Sequence, residues 1–529
     1  MPISRSFYRL FVAVALLTFL TAIDGWTQAR RLVPLDHWAY EYIHRLQLRG
    51  HLLDLHPTAL PYTAGDLAKA VDAMDRRKLD ASERRWAEAL RGAFGRRGAS
   101  LGAELQPGVR LSSATRLDPL RPSESEEGGA TLEAASVSLY PHLAGRLHFD
   151  RGMFVAQAGL RFDVYYRDDP DGLEAANRLI TRNEDAYAGI GSRYVSAYVG
   201  RFSQHWAPPG ETALLVSDNP VGFDQLHLRV GTGRLALRSV VGELDSMTDD
   251  GRFTGTAGAD SVEVNVRRYL SAHRFDWRPS RHVALSLMES TIYSGRNSGF
   301  SLKYLNPLVV HALAVDGRPK NEENNGLLAG MLWAQASAWT LQGQLLLDDV
   351  ELMRVSGEPP AVALSGSLTF AGFDRATIGA ALTAVSVRAY NTHQPEGRYT
   401  HLLRGIGAPY NDYLHAAAFA TFYFGSGDLD LSLTPRLDAL FEGEGDIHMP
   451  YPSSADDAEF IFDGTVERLI RPALELRLQH ARTWWLQLDA GPAFLANEGH
   501  IDGRMRSMLT VTASLTARLS AADRSPSSF

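Results

Sequence analysis

The sequence predicts an all-β transmembrane barrel of about 18 antiparallel strands, preceded by a small N-terminal α-helical bundle. Three observations predict it. Beyond Gly98, apolar and polar residues alternate over runs of about 10–16 residues, against ~5–6 for strands of ordinary sheets. The gaps between these runs alternate between short turns and long loops. No window beyond the N-terminal segment reaches the ~18 apolar residues of a spanning helix.

Composition narrows the function classes. The 529 residues carry Lys+Arg 53 against Asp+Glu 61, a net charge of −8. That balance argues against a nucleic-acid partner. A hydrophobic content of 45% is far below that of a polytopic helical membrane protein. Cysteine is absent, which excludes disulfides, thiolate metal sites and a Cys nucleophile.

The chain opens with Arg5 and Arg9 ahead of an apolar run from Leu10 to Ala22. A basic n-region and a short h-region read as an export signal over 1–29, cleaved after Ala29. Residues 30–98 then form the helical domain and 99–529 the barrel. Asp36 is the expected cap of a first helix with the stripe Ala39, Tyr42, Ile43, Leu46, ended by Gly50. Thr63 caps a second, with Leu67, Ala70, Val71 and Met74 on one face. Asp80, with Glu83 three residues on, caps a third through Trp86, Leu90 and Phe94. A bundle of about 65 residues is near the lower limit for an independent core, so it needs a larger body to lean on.

The expected strands are 100–112, 133–149, 152–167, 184–191, 193–204, 223–230, 234–244, 263–277, 281–294, 326–338, 340–350, 361–372, 375–391, 412–424, 428–441, 466–480, 483–496 and 507–520. The last is the clearest, with Leu509, Val511, Ala513, Leu515, Ala517 and Leu519 alternating with polar residues. The short connections fall at Asp150-Arg151, Ser192, 231–233, 278–280, Trp339, Phe373-Asp374, 425–427 and Ala481-Arg482. Short turns on one rim, long loops on the other and an even count are the pattern of an outer-membrane barrel. Closure also removes the sheet edges that lipid does not tolerate.

Several segments in order resemble the Wzi-type capsule-assembly family of outer-membrane proteins. They are Gly200-Arg201-Phe202, His205-Trp206-Ala207-Pro208, Leu215-Val216-Ser217-Asp218-Asn219-Pro220 and Phe223-Asp224. His273-Arg274-Phe275-Asp276-Trp277-Arg278-Pro279, Glu289, Ile292-Tyr293-Ser294-Gly295 and Tyr304-Leu305-Asn306-Pro307 follow. Tyr390-Asn391-Thr392-His393, Tyr399-Thr400-His401 and Arg404-Gly405-Ile406-Gly407 complete the set. The resemblance implies an 18-stranded barrel, a helical bundle at the periplasmic mouth and the holding of capsular polysaccharide at the cell surface. Asp36-His37-Trp38-Ala39-Tyr40 with Pro61-Tyr62-Thr63 also resembles a single S-layer-homology repeat. That implies contact with cell-wall polymer; the plainer expectation is a plug packed on the barrel.

No catalytic motif stands out. Gly231-Thr232-Gly233-Arg234-Leu235-Ala236 matches GxGxxA but lies between two strands, where a hairpin turn explains it. Asp168, Asp169, Asp171 and Gly172 form an incomplete calcium-loop spacing, best read as an acidic loop. Asp348 and Asp349 point to opposite faces and cannot share an acid–base centre. The candidates for polysaccharide contact are His205, Trp206, Asn306, Tyr410, Tyr413 and Tyr451, in or beside long loops. An aromatic face can stack on a sugar ring; the bland role is a girdle aromatic. Arg161, Asp163, Arg238, Arg471, Glu475 and Arg477 are expected to line the lumen, setting selectivity or forming charge ladders. The expectation is a non-enzymatic, cofactor-free and metal-free outer-membrane protein of a Gram-negative-type bacterium. It anchors capsular or extracellular polysaccharide, sits in outer-membrane lipid, and keeps its helical domain periplasmic. The alternative is a channel for solutes or saccharides; a hydrolase is the remote third.

Overall fold

The computed structural model describes residues 30–95, 100–122, 137–172, 180–246, 266–295, 302–311, 323–348, 361–392, 395–448, 459–480 and 483–522. The expected export signal, Asp349 and Tyr451 lie outside the described residues.

Three helices form where their caps and stripes place them: α1 (Ala39–Leu48), α2 (Ala64–Asp72) and α3 (Ala81–Phe94). Thr63 accepts the Asp66 amide at 3.0 Å. Asp80 and Glu83 exchange 2.8 Å bonds in a capping box, satisfying two orphan donors. Gly50 takes φ +82° just past α1, a conformation that costs glycine nothing. Asp36 does not cap α1; Trp38 at the N-cap makes no side-chain bond, and His37 Nδ1 accepts the Ala39 amide at 3.2 Å. The Asp36 carboxylate is drawn instead to Arg146 on the barrel wall, at 3.0 Å. Tyr42, Ile43, Leu46, Leu67, Val71, Trp86 and Leu90 bury together and extend to the wall residue Tyr423. The domain thus completes its core against the barrel.

Twenty strands make one antiparallel sheet, arranged as 18 staves because two are interrupted. In order they are β1 (Ser100–Ser112), β2 (Ser138–Arg151), β3 (Phe154–Asp163), β4 (Thr181–Asn183 with Ala186–Gly191), β5 (Val195–Arg201) and β6 (Asp224–Gly231). Next come β7 (Leu235–Glu243), β8 (Arg267–Ser280), β9 (Val283–Gly295), β10 (Glu323–Ala336), β11 (Trp339–Asp348) and β12 (Ala361–Phe373). The last are β13 (Ala376–Val385), β14 (Tyr413–Ser426), β15 (Leu429–Glu442), β16 (Glu467–His480), β17 (Trp484–Ala496) and β18 (Met505–Ala517 with Leu519–Ala522). β1 pairs with β2 on one side and with both pieces of β18 on the other, so the sheet closes.

Alternation along each stave sorts the two faces. In β3, Phe154, Leu160 and Phe162 are exposed outward, while Val155, Gln157 and Asp163 are buried inward. The same sorting puts Leu143, Leu147, Leu341, Leu345, Leu364 and Leu368 on the outside, the surface that lipid accepts. Phe149, Trp277, Trp339, Phe373 and Phe424 stand exposed toward the short-turn rim, an aromatic girdle.

Several expected boundaries move. The strand expected over 152–167 ends at Asp163, where Tyr165–Asp168 forms a short helix, and that over 193–204 ends at Arg201. The strand expected to Asn391 ends at Val385. Beyond it Val387, Ala389 and Tyr390 are all buried, because the chain turns into the lumen. The turn expected at Trp339 lies at Ser337-Ala338, with Ser337 at φ +55°. β4 and β18 are broken where single strands were expected.

The lumen is filled from both ends. The helical domain enters from the short-turn rim, where Arg49 donates to the Phe373 carbonyl at 2.9 Å. Arg45 reaches Asp430 and Ser432, each at 2.9 Å. Residues 202–222, 386–392 and 395–412 fold inward from the long-loop rim. Trp206, Leu214, Leu215, Val216, Tyr390, Tyr399 and Ile406 join the inward wall residues Met331, Leu346 and Val385 in one core.

Candidate functional site

The long-loop mouth gathers chemistry from three connections: residues 113–122, 164–172 and 404–413. Arg121 lies 3.7 Å above the Tyr410 ring and 5.2 Å from that of Tyr413, and pairs with Glu442 at 3.1 Å. Tyr410 donates its hydroxyl to Asp171 at 3.1 Å. Asp171 also pairs with Arg116 at 3.0 Å, and Asp169 pairs with Arg404. The acidic loop is therefore held by arginines, its carboxylates engaged in ion pairs. Burial pushes the Asp171 carboxyl up, but Arg116 outweighs it and holds the group below its usual range. Tyr410 and Arg121 stay half-buried at this mouth. A flat aromatic and arginine surface fringed by fixed carboxylates suits a polyhydroxylated ligand, which needs both stacking and hydrogen-bond partners.

Below the mouth lies a cavity of about 320 Å³ between the two insertions, lined by Tyr40, Leu60, His205, Glu211, Asp218 and Asn219 among others. His205 Nδ1 meets Asp218 at 2.8 Å. Burial works against the charged imidazole, yet the Asp218 pairing prevails and raises its pKa. Glu211 accepts from Ser367 at 2.6 Å. Its carboxyl is pushed up to about 7 by burial, only partly opposed by Ser367 and His205. The floor of the cavity is joined across: the Leu60 and His205 backbones exchange hydrogen bonds of 3.0 and 3.2 Å.

A larger cavity of about 690 Å³ opens between the helical domain and the wall near the short-turn rim. Arg193, Arg229, Arg234, Arg238, Arg278 and Arg281 line it, against Asp54, Asp66 and Asp276. Its excess of cations favours anions.

The expected contact residues are dispersed. Tyr410 lies at the mouth under Arg121, whereas Tyr413 is 4% exposed and packed in the core beneath it. His205 lines the inner cavity. Trp206 is only 1% exposed, with Arg274 5.7 Å from its ring, so its face is packed rather than presented. Asn306 is exposed in a turn, where it accepts the Leu308 amide at 3.1 Å. The six expected lumen residues all point inward, each in an ion pair. Arg161 meets Asp36 and Asp163, the latter also held by Arg110. Arg238 meets Asp276, and Arg471 meets Asp489. Glu475 meets Arg436, and Arg477 meets Glu41 of α1. Arg161 and Arg477 seat the helical domain, while the other pairs are ladders within the wall. Glu211 and Arg121 carry no motif that singles them out, and Asp218 lies in a segment that carries the family resemblance but is not among the expected contact residues; only the fold brings Asp218 to His205 and Arg121 to Tyr410.

No family model matches the chain, and no curated protein matches it. Among solved structures, Wzi of Escherichia coli, described as an outer-membrane protein involved in group 1 capsule assembly and a carbohydrate-binding β-barrel, superposes with a TM-score of 0.60. It is 12% identical, and the match covers 92% of this chain and 99% of that one. OccK10 of Pseudomonas aeruginosa gives a TM-score of 0.42 at 11% identity, covering 80% and 99%. The resemblance carried by the sequence motifs thus stands at the level of fold: this chain is similar to the Wzi barrel.

Proposed function

We propose that the protein is an outer-membrane barrel that holds a surface polysaccharide at its long-loop mouth, without catalysis and without a standing pore. The observation that carries this reading is the meeting of the two insertions at Leu60 and His205 beneath a mouth where Arg121 lies over Tyr410, with Tyr413 packed below. A lumen packed from both rims is costly for a transporter and useful for a rigid platform. The E. coli barrel described as carbohydrate-binding supports the ligand class. On this reading the outward leucines meet outer-membrane lipid, and the helical domain faces the periplasm, where it is free to touch cell-wall polymer. Capsular or extracellular polysaccharide is the ligand. With a net charge of −8, an acidic polymer would be met through the mouth arginines rather than through the whole surface.

The test compares cell-bound with released polysaccharide in a strain lacking the protein, with total synthesis measured in parallel. Normal synthesis with most polymer shed into the medium is the expected result. Unchanged retention would remove the anchoring role. For the channel alternative, either the helical domain or the 202–222 loop has to leave the lumen.

A further inference from the structure

The wall carries polar groups where lipid should be. In β8 and β9 the outward positions include Phe275, Trp277 and Leu287, all exposed. His273 and Glu289 share that outward face, two residues further on, and stand directly opposite each other in register. A carboxylate on the lipid face of a barrel is expensive. Here it is covered. The short helix Leu302–Leu305 and the turn after it lie back over the outside of the wall. Tyr304 stacks on Tyr293 with ring centroids 3.9 Å apart, and Ser271 donates to the Tyr304 carbonyl at 2.8 Å. Leu308 is 80% exposed, so the cover presents an apolar surface of its own.

His311, the last described residue of this cover, reaches the two buried groups. Its backbone amide donates to Glu289 at 2.9 Å. Its imidazole lies 4.4 Å from that of His273, centroid to centroid. Glu289 Oε1 is 2.9 Å from His273 Nδ1 and 3.9 Å from His311 Nδ1. All three residues are more than nine-tenths buried. His311 Nδ1 and His273 Nε2 have no protein hydrogen-bond partner. One donor atom from each residue lies within 4.8 Å of the other two, and among the described residues this is the group of three or more His, Asp and Glu side chains so arranged.

We propose that His273, Glu289 and His311 bind one divalent transition-metal cation, zinc(II) by donor chemistry, which fastens the 302–311 cover to the outer wall. Two imidazoles and a carboxylate suit zinc and its neighbours, whereas calcium and magnesium prefer all-oxygen sets. Three protein ligands leave the fourth tetrahedral position to water. Donors around a tetrahedral zinc stand ~3.3 Å apart. The wider spacing here closes by a shift on the order of 1 Å at His311. On loading, any nitrogen that carries a proton releases it to solvent before coordinating. The cation offsets the Glu289 charge on a face where that charge is otherwise out of place, and the stability gained follows metal concentration.

The test uses the full-length folded barrel in detergent. The protein is stripped with chelator, dialysed against micromolar zinc chloride with millimolar magnesium and calcium, and assayed for bound metal by mass spectrometry. About one zinc per chain is expected. His311→Asn and Glu289→Gln should each lower retained zinc by about tenfold or more, while still migrating as folded barrels before heating. Zinc should also slow proteolysis within 302–311 in the native chain. Equal retention by native protein and both variants, or none in the native protein, overturns the proposal. If the variants fail to fold, cobalt(II) titration of the native protein decides: intense tetrahedral visible bands support the site, and weak octahedral bands overturn it.

Discussion

Leu60 and His205 donate to each other's backbone carbonyls at 3.0 and 3.2 Å, although one enters the lumen from the short-turn rim and the other from the long-loop rim. This single antiparallel bridge makes two separate insertions continuous. Thr58 beside it accepts from Arg274 at 2.7 Å, so the junction is also fixed to the wall.

A joined plug predicts a closed state. Full-length protein in a planar bilayer should show no steady open conductance. A chain lacking residues 30–95 should show openings, since the 202–222 loop then loses its partner at Leu60. A native protein that conducts as a standing pore would refute the platform reading.

The seat of the helical domain rests on Arg45. It is buried, pairs with Asp430 at 2.9 Å and lies 4.7 Å from the Tyr423 ring. Arg45→Ala leaves Asp430 with the Trp86 indole N–H at 3.2 Å and the more distant Arg85 at 3.9 Å, both from α3. Removing one member of a buried pair costs about 3–5 kcal/mol. The helical domain should become protease-sensitive while the barrel stays heat-modifiable on a gel.

Trp206 and Tyr410 should separate stability from binding. Trp206→Ala empties a buried site and should cost about 3–5 kcal/mol, read as a lower unfolding midpoint. Tyr410→Ala, at the half-exposed mouth, should change stability by about 1 kcal/mol or less and yet reduce retained polysaccharide. If Tyr410→Ala and Arg121→Ala both retain polymer normally, the mouth is not the binding surface.

Acidity should tighten the inner cavity. Glu211 has a folded pKa of about 7 against an ordinary 4.5, so the folded state binds its proton more tightly. Its contribution to stability is full below about 4.5 and is lost as pH rises through about 7. His205 is also raised, so its contribution is present below 6.5 and is lost at higher pH in the same direction. The thermal midpoint should fall between pH 5 and 8, and Glu211→Gln should flatten much of that slope. A midpoint that rises over this range would contradict the assignment.

The wall was legible because a single period governs it. β1 and β16 lie within a residue of their expected bounds. The stretch from Ser386 to Tyr390 misled because Val385, Val387 and Ala389 keep the alternation while the chain has already left the sheet. The 263–277 region alternated poorly for a visible reason: both its faces are covered, one by Thr58 and one by Tyr304 and His311. The pairing of His273 with Glu289 was implicit in the hairpin, since both lie eight residues from its centre at Arg281. Nothing local could add His311, or bring Asp171 to Tyr410 across 239 residues.

The filled lumen also bears on the order of assembly. The seam between β1 and β18 joins residues far apart in the chain: Arg518 and Glu104 are separated by 414 positions. Closing so long a segment is entropically late. Residues 30–95 are made first, and they contact the wall at β2, β8, β12 and β15, spread around its circumference. The helical domain is therefore positioned to serve as a mandrel, on which the staves gather before the last one meets the first.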